Sequence, residues 1–215
     1  MTISAERNSA PTSDQSTVVS RTGPKRSESI RLAVLNAADD LLVERGFDGV
    51  TIESIATRAG VAKQTLYRWW KSKVDILLDT LIGDAQDGLA WHLGTATAEG
   101  ELKLQLRRIS GFLQEPAGQV LQALLGHAQT NQSTAQALRE GFLREQQERD
   151  LAGLRTVLER HTGRPVDRQT TDVLLNVLLG PIYYQALVVG RPPDPELLDT
   201  TARLVLDMAT KTTHG

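Results

Sequence analysis

Residues 51–73, TIESIATRAGVAKQTLYRWWKSK, constrain the fold more than any other stretch of the chain. Ile52, Ile55, Ala56 and Ala59 recur at helical spacing and make one apolar stripe. Thr51 can cap that helix through its hydroxyl, and Glu53 falls in the positive first turn. Gly60 follows the last stripe residue, where a left-handed stop needs a residue without Cβ. A second helix is expected over 63–70, with Leu66 and Trp70 on one face and Lys63, Gln64, Tyr67 and Arg68 on another. A helix, a glycine turn and a helix with a basic, polar, aromatic outer face form a helix-turn-helix. That motif lays its second helix in the DNA major groove.

The net charge of −2 hides an asymmetry that suits this reading. Residues 21–73 carry ten Lys/Arg against six Asp/Glu, and residues 74–215 carry thirteen against eighteen. A basic front on an acidic body is what a DNA-facing module on a non-binding body requires. Cysteine is absent, which removes disulfides, thiolate metal sites and a Cys nucleophile and suits a reducing cytoplasm. The first twenty residues lack the apolar run of a signal peptide. Residues 173–189 are mostly apolar but contain Asn176, Gly180, Pro181 and Gln185, and fall short of the ~20 residues a membrane span needs. A buried interface helix fits them better.

The remaining pattern is helical throughout. Residues 1–26, rich in Ser, Thr, Gly and Pro, are expected to form a disordered arm in which Arg21, Lys25 and Arg26 could reach phosphates. Helices are expected over 28–45 with Ser27 as cap, 73–93 with a Ser72–Asp75 capping box, 101–114, 119–129 and 133–161. Two more are expected over 167–189, kinked at Gly180–Pro181, and over 195–210, started by Asp194–Pro195. The fold class is therefore all-α with about nine helices: a helix-turn-helix domain at 27–73 and a larger helical bundle at 74–215. The helix over 167–189 is apolar nearly all round and its successor has two apolar flanks. Paired with their copies, the two would make a four-helix dimer interface.

The three N-terminal helices, the run GVAKQTLYRWWKSK and the long fourth helix resemble the TetR family of bacterial transcription regulators. The close match covers about residues 29–81, and LLGPIYYQALVVGRPPD resembles a C-terminal subgroup of that family. The resemblance implies a dimeric repressor on palindromic operator DNA, its recognition helices ~34–36 Å apart in successive major grooves. A small-molecule effector would enter the helical body, shift the fourth helix and release the DNA. It also implies roles. Thr51 would offer its hydroxyl and N–H to a phosphate. Lys63 and Gln64 would reach guanine and adenine edges. Thr65 and Tyr67 would touch backbone phosphates, Arg68 either target, and Lys73 a phosphate. Leu66 and Trp70 would hold the recognition helix, with Trp69 packed beside the DNA backbone. Trp91, His92, Phe112, His127, Phe142, Tyr183 and Tyr184 lie in helices that enclose the family's pocket, and His127 is the first choice of polar anchor. One departure is Ala62, where the family often has a hydroxyl residue. Its absence costs helix 3 a side-chain cap worth about 1 kcal/mol.

Two other function classes compete. A non-sequence-specific DNA protein would carry a larger basic excess. A helical-bundle enzyme would need Glu and Glu-x-x-His pairs facing inward. His92, His127, His161 and His214 are scattered, with no Glu-x-x-His, phosphate loop or nucleophile motif. No catalytic residue, metal or cofactor is expected.

Overall fold

The structure, a computed structural model, describes residues 23–94 and 97–212. Residues 1–22 of the arm expected over 1–26, Arg21 among them, lie outside these residues, as does His214. Among them the architecture is all-helical, in nine continuous helical bodies: α1 (Gly23–Gly49), α2 (Ile52–Ala59), α3 (Lys63–Tyr67), α4 (Lys73–Gly88), α5 (Ala98–Phe112), α6 (Pro116–Ala128), α7 (132–162), α8 (Arg168–Val189) and α9 (Pro195–Thr212).

Local chemistry fixes most of the ends. Thr51 Oγ1 accepts from the Ser54 N–H and Ser54 Oγ accepts from the Thr51 N–H, both at 3.0 Å, a reciprocal box that starts α2. Gly60 stops it at φ 67°, ψ 31°. Ser72 and Asp75 form the expected box on α4. Asp167 and Asp194 cap α8 and α9 through the N–H groups of Thr170 and Leu197, at 2.9 and 2.7 Å. Gly46 interrupts α1 at φ 67°, ψ 175°, and Phe47 turns back against the core.

Several boundaries differ. α1 opens at Gly23, so Ser27 lies inside it and residues 23–26 belong to the helix rather than the arm. α3 ends at Tyr67 because the N–H groups of Trp69 and Trp70 both fold back onto the Leu66 carbonyl at 2.9 Å. α4 stops at Gly88, five residues early. There Gln105 and Arg108 of α5 donate to the Leu89 and Asp87 carbonyls, covering the acceptors a helix end leaves bare. α5 starts at Ala98, capped by Thr97 Oγ1, and α6 at Pro116, a proline in the first helical position. α7 is continuous but widens into a π-turn at Arg139–Leu143. Pro181 is carried inside α8, whose last turn opens into a second π-turn at Tyr184–Val189.

The core is aliphatic. Leu41, Ile55 and Leu66 fill the small N-terminal domain, and Leu77, Leu102, Leu106, Leu124 and Leu154 fill the bundle. α1 packs on α2, α4 and α6, so the front domain is seated directly on the bundle. α8 packs on α7, α5 and α9 along one face only. Its other face leaves Val173, Tyr184, Leu187, Val188 and Val189 exposed. By length and composition alone α8 could cross a membrane.

Candidate functional site

The outer face of α2–turn–α3 is the first candidate. Gln64 and Tyr67 are exposed and Thr65 is half-buried on a helix of five residues, and Arg68, at its C-cap, is exposed too. Ala62 stands at its N-cap and makes no side-chain bond, so α3 is held by what lies beneath it. Leu66 is wholly buried. Trp70, also buried, donates from Nε1 to Asp79 Oδ2 at 3.0 Å, and the Trp69 ring leans on it at 5.3 Å between centroids. Arg31 of α1 grips the same carboxylate with two nitrogens. Asp79 thus ties α1, α4 and the end of the recognition segment into one body, a bidentate pairing that favours Arg over Lys. Sequence reasoning placed Trp70 correctly but gave no sign of Asp79.

Two of the cations expected to meet DNA already have partners. The Lys63 amine pairs with Glu53 of α2 and lies 5.6 Å from the Tyr67 ring centroid. That pairing raises the lysine pKa and lowers the glutamate's. Lys73 Nζ donates to the Phe47 carbonyl at 2.6 Å and stands 4.0 Å over the Phe47 ring. Partial burial pushes its pKa down. Thr51 spends its hydroxyl and N–H on the α2 cap.

Phe47 also meets His127 of α6, ring centroids 4.4 Å apart. His127 therefore belongs to the seam between the two domains and does not line the cavity of the bundle. This corrects its assignment as polar anchor: α6 turns that side of its C-terminal end toward the α1–α2 corner.

The second candidate is an open cavity of about 390 Å³ bordered by α6, α7 and α8. Leu121, Leu125, Phe142, Leu143, Leu175, Leu179 and Leu187 make its apolar walls, and Gln146, Gln147, Asp150, Asn176 and Tyr183 its polar points. A mostly apolar site with a few placed polar groups is the usual form of a small-molecule pocket. Of the seven expected residues, Phe142 and Tyr183 line it. Trp91 stands behind the wall, donating to Asp150 Oδ1 at 2.9 Å. Phe112 is core, pressed against Gly88 so closely that a Cβ there would lie 2.7 Å from its ring. His92 is exposed, near its neighbour's carbonyl at Ala90, and Tyr184 is exposed on the outer side of α8. The polar lining was missed, although Gln146 and Asp150 follow Phe142 at four-residue steps along the buried stripe of α7. Polar residues in register with an apolar stripe are the signal that could have found them.

A third space, about 920 Å³, separates α1 from α4 and α6 and is walled by Asp39, Asp40, Glu44, Asp84, Asp87 and Glu115. Burial pushes the Asp39 carboxyl up to about 6, opposed by the nearby Thr80 hydroxyl and helped by Asp84 and Asp40. A carboxyl with a raised folded pKa destabilises the fold when ionised, and the penalty fades as pH falls through that value. Asp39→Asn is thus expected to melt higher than wild type at pH 7.5. The advantage should shrink as pH drops through about 6 toward 4. Thermal melts across that range check it, and a pH-independent difference would contradict the electrostatic cause.

Known proteins resemble the chain in both halves. The family described as "Bacterial regulatory proteins, tetR family" matches residues 34–80, and the "Tetracyclin repressor-like, C-terminal domain" matches residues 94–205. The HTH-type transcriptional regulator YdeS of Bacillus subtilis (strain 168) is 33% identical over 173 residues, covering 80% of this chain and 85% of its own. The HTH-type transcriptional regulator AqdR of Rhodococcus erythropolis is 26% identical over 160 residues, 74% of each chain. Among solved structures, the TetR family transcription regulator SCO0332 superposes with a TM-score of 0.68 at 32% identity, over 84% of this chain and 98% of its own.

Proposed function

The chain belongs to the TetR family of bacterial regulatory proteins, and from that premise we propose a dimeric repressor that reads a palindromic operator and is released by a small-molecule effector. The observation that carries the DNA reading is the recognition face itself. Gln64 and Tyr67 on α3, and Arg68 at its C-cap, stand exposed over Leu66 and Trp70, which hold the segment from beneath. Gln64 is assigned to a base edge and Arg68 to a base or phosphate. Thr65 and Tyr67 are assigned to the backbone. Lys63 joins them by exchanging Glu53 for DNA. Thr51 and Lys73 would reach phosphates from the ends of α2 and α4, Lys73 while leaving or sharing the Phe47 carbonyl.

The dimer is assigned to α8 and α9. The exposed α8 face, with Leu204 on α9, is apolar area that a second copy would cover. Asn176, Gly180 and Leu187 on that face also border the cavity, so subunit contact and ligand entry share residues. Light scattering at micromolar concentration is expected to give twice the chain mass of 23.5 kDa. A monomer would rule this assembly out.

Release is assigned to α6. Leu121 and Leu125 line the cavity, and His127, in the last turn of the same helix, touches Phe47 beneath Lys73. An effector that prefers the arrangement in which α6 has shifted lowers DNA affinity by that preference and by nothing else.

The deciding experiment is selection of bound duplexes from a random pool, followed by titration of two variants. Gln64→Ala is expected to relax sequence preference at one position by about 1–3 kcal/mol. Lys73→Ala is expected to weaken all sequences alike and reduce the salt slope by about one. A uniform loss from both would invert the division between base and phosphate contacts. Failure to enrich any sequence would favour a non-specific DNA protein.

A further inference from the structure

Asp150 is the one formally charged side chain on the wall of the α6–α7–α8 cavity. It is 6% exposed. Trp91 Nε1 and Gln146 Nε2 both donate to its Oδ1, at 2.9 and 3.1 Å. Gln146 is locked in that orientation because its Oε1 accepts from Arg149 Nε and Nη2. Among the described residues no donor reaches Oδ2. Burial raises the carboxyl pKa, against the two bonds that lower it. Tyr183 lines the same cavity, its hydroxyl without a partner among the described residues, and Phe142 adds a second ring.

A carboxylate that is 6% exposed keeps little water on the oxygen its neighbours leave free, and the group that best matches that oxygen is a cation with N–H donors. The remaining wall supports this choice. No Lys or Arg lines the cavity, so an anionic ligand would face Asp150 with no counter-charge. The aromatic rings offer faces to an ammonium group, while the leucines take an apolar body.

We propose that the effector is a hydrophobic amine, its protonated nitrogen received by Asp150 Oδ2 beside Tyr183 and its body held by the leucines of α6 and α8. The inference rests on the cavity being the effector site. Trp91 gives the site a direct tie to the DNA-reading end. It follows α4 in the chain and bonds the same carboxylate. Its ring lies so close to α7 that a Cβ on Gly153 would stand 2.3 Å from it. A ligand that pulls on Asp150 therefore pulls on the segment that ends α4.

Three probes with one ring system separate the outcomes: 2-(aminomethyl)naphthalene, 2-naphthalenemethanol and 2-naphthoic acid, titrated calorimetrically into the full chain at pH 7.5. The amine is expected to bind at least tenfold tighter than the alcohol, and the acid most weakly. In Asp150→Asn the amine and alcohol should converge. Equal binding of all three, or preference for the acid, overturns the amine assignment and leaves the cavity as a ligand site. Binding of none overturns the effector site as well. The wild-type series decides the matter even if Asp150→Asn fails to fold. An amine preference that survives in a folded Asp150→Asn places the cation elsewhere and equally overturns the assignment.

Discussion

Gly118→Ala is expected to destabilise the bundle by about 3 kcal/mol, the overpacking extreme for a single added methyl. Gly118 is the third residue of α6 and is buried. A Cβ there would lie 2.1 Å from the Phe112 carbonyl oxygen and 2.4 Å from the Leu113 Cα. These are main-chain atoms of the corner between α5 and α6, which side-chain rotation cannot clear. Relief requires the two helices to separate at their joint. The link between them is three residues, so α6 as a whole must tilt. Both Leu121 at the cavity and His127 at Phe47 travel with it. Urea unfolding at fixed protein concentration should show the loss, and the variant should also bind DNA differently. A midpoint unchanged from wild type would show that the corner is looser than its contacts indicate.

The second large effect is expected at Leu66, which is 0% exposed. Leu66→Ala removes the main apolar anchor of α3 and leaves a cavity, at a cost of about 2–5 kcal/mol to the front domain. The consequence for DNA should exceed the consequence for helix content. α3 has five residues and no side-chain cap, so no intrinsic propensity keeps it in place once the anchor is gone. Specific affinity for the selected duplex should fall at least a hundredfold. Binding to unrelated duplex should fall less, because phosphate contacts tolerate a loosely held helix. Fluorescence anisotropy on both duplexes reads the split. Full-affinity specific binding by this variant would mean that Trp70 and its bond to Asp79 hold α3 without Leu66.

What was readable in the sequence was what is decided within a few residues. Thr51, Ser72 and Asp194 announce helix starts, and each cap is formed by an oxygen acting three residues along; Asp167, expected as the first residue of its helix, acts the same way. Gly46 and Gly60 announce stops through a backbone conformation that side chains disfavour. Pro116 carried an equally local signal that the expected start at residue 119 overlooked. The residues that went unread were those decided by distant partners. Asp79 meets Arg31 across 48 positions, and Asp150 meets Trp91 across 59. No periodicity encodes such pairs. The chemistry of His127 was read rightly as polar in an apolar stretch, but Phe47, eighty positions away, decides which way it faces. The exposure of Gln64, Tyr67 and Arg68 was easier to read, because it needs no distant partner.

The π-turn at Arg139–Leu143 gives α7 a property that a regular helix of the same length would lack. One additional residue in a turn rotates everything downstream by about 100° relative to the α-helical phase. Before the turn, α7 packs on α4 and α6; after it, on α5, α8 and α9. A single rod thus serves two neighbourhoods whose buried faces are out of phase, and the joint between phases carries Phe142 into the cavity. Deleting any one residue of 139–143 would leave the helix intact and put one of its two halves out of step with its surroundings. A change of count along this rod is therefore expected to cost more than a substitution on its exposed side.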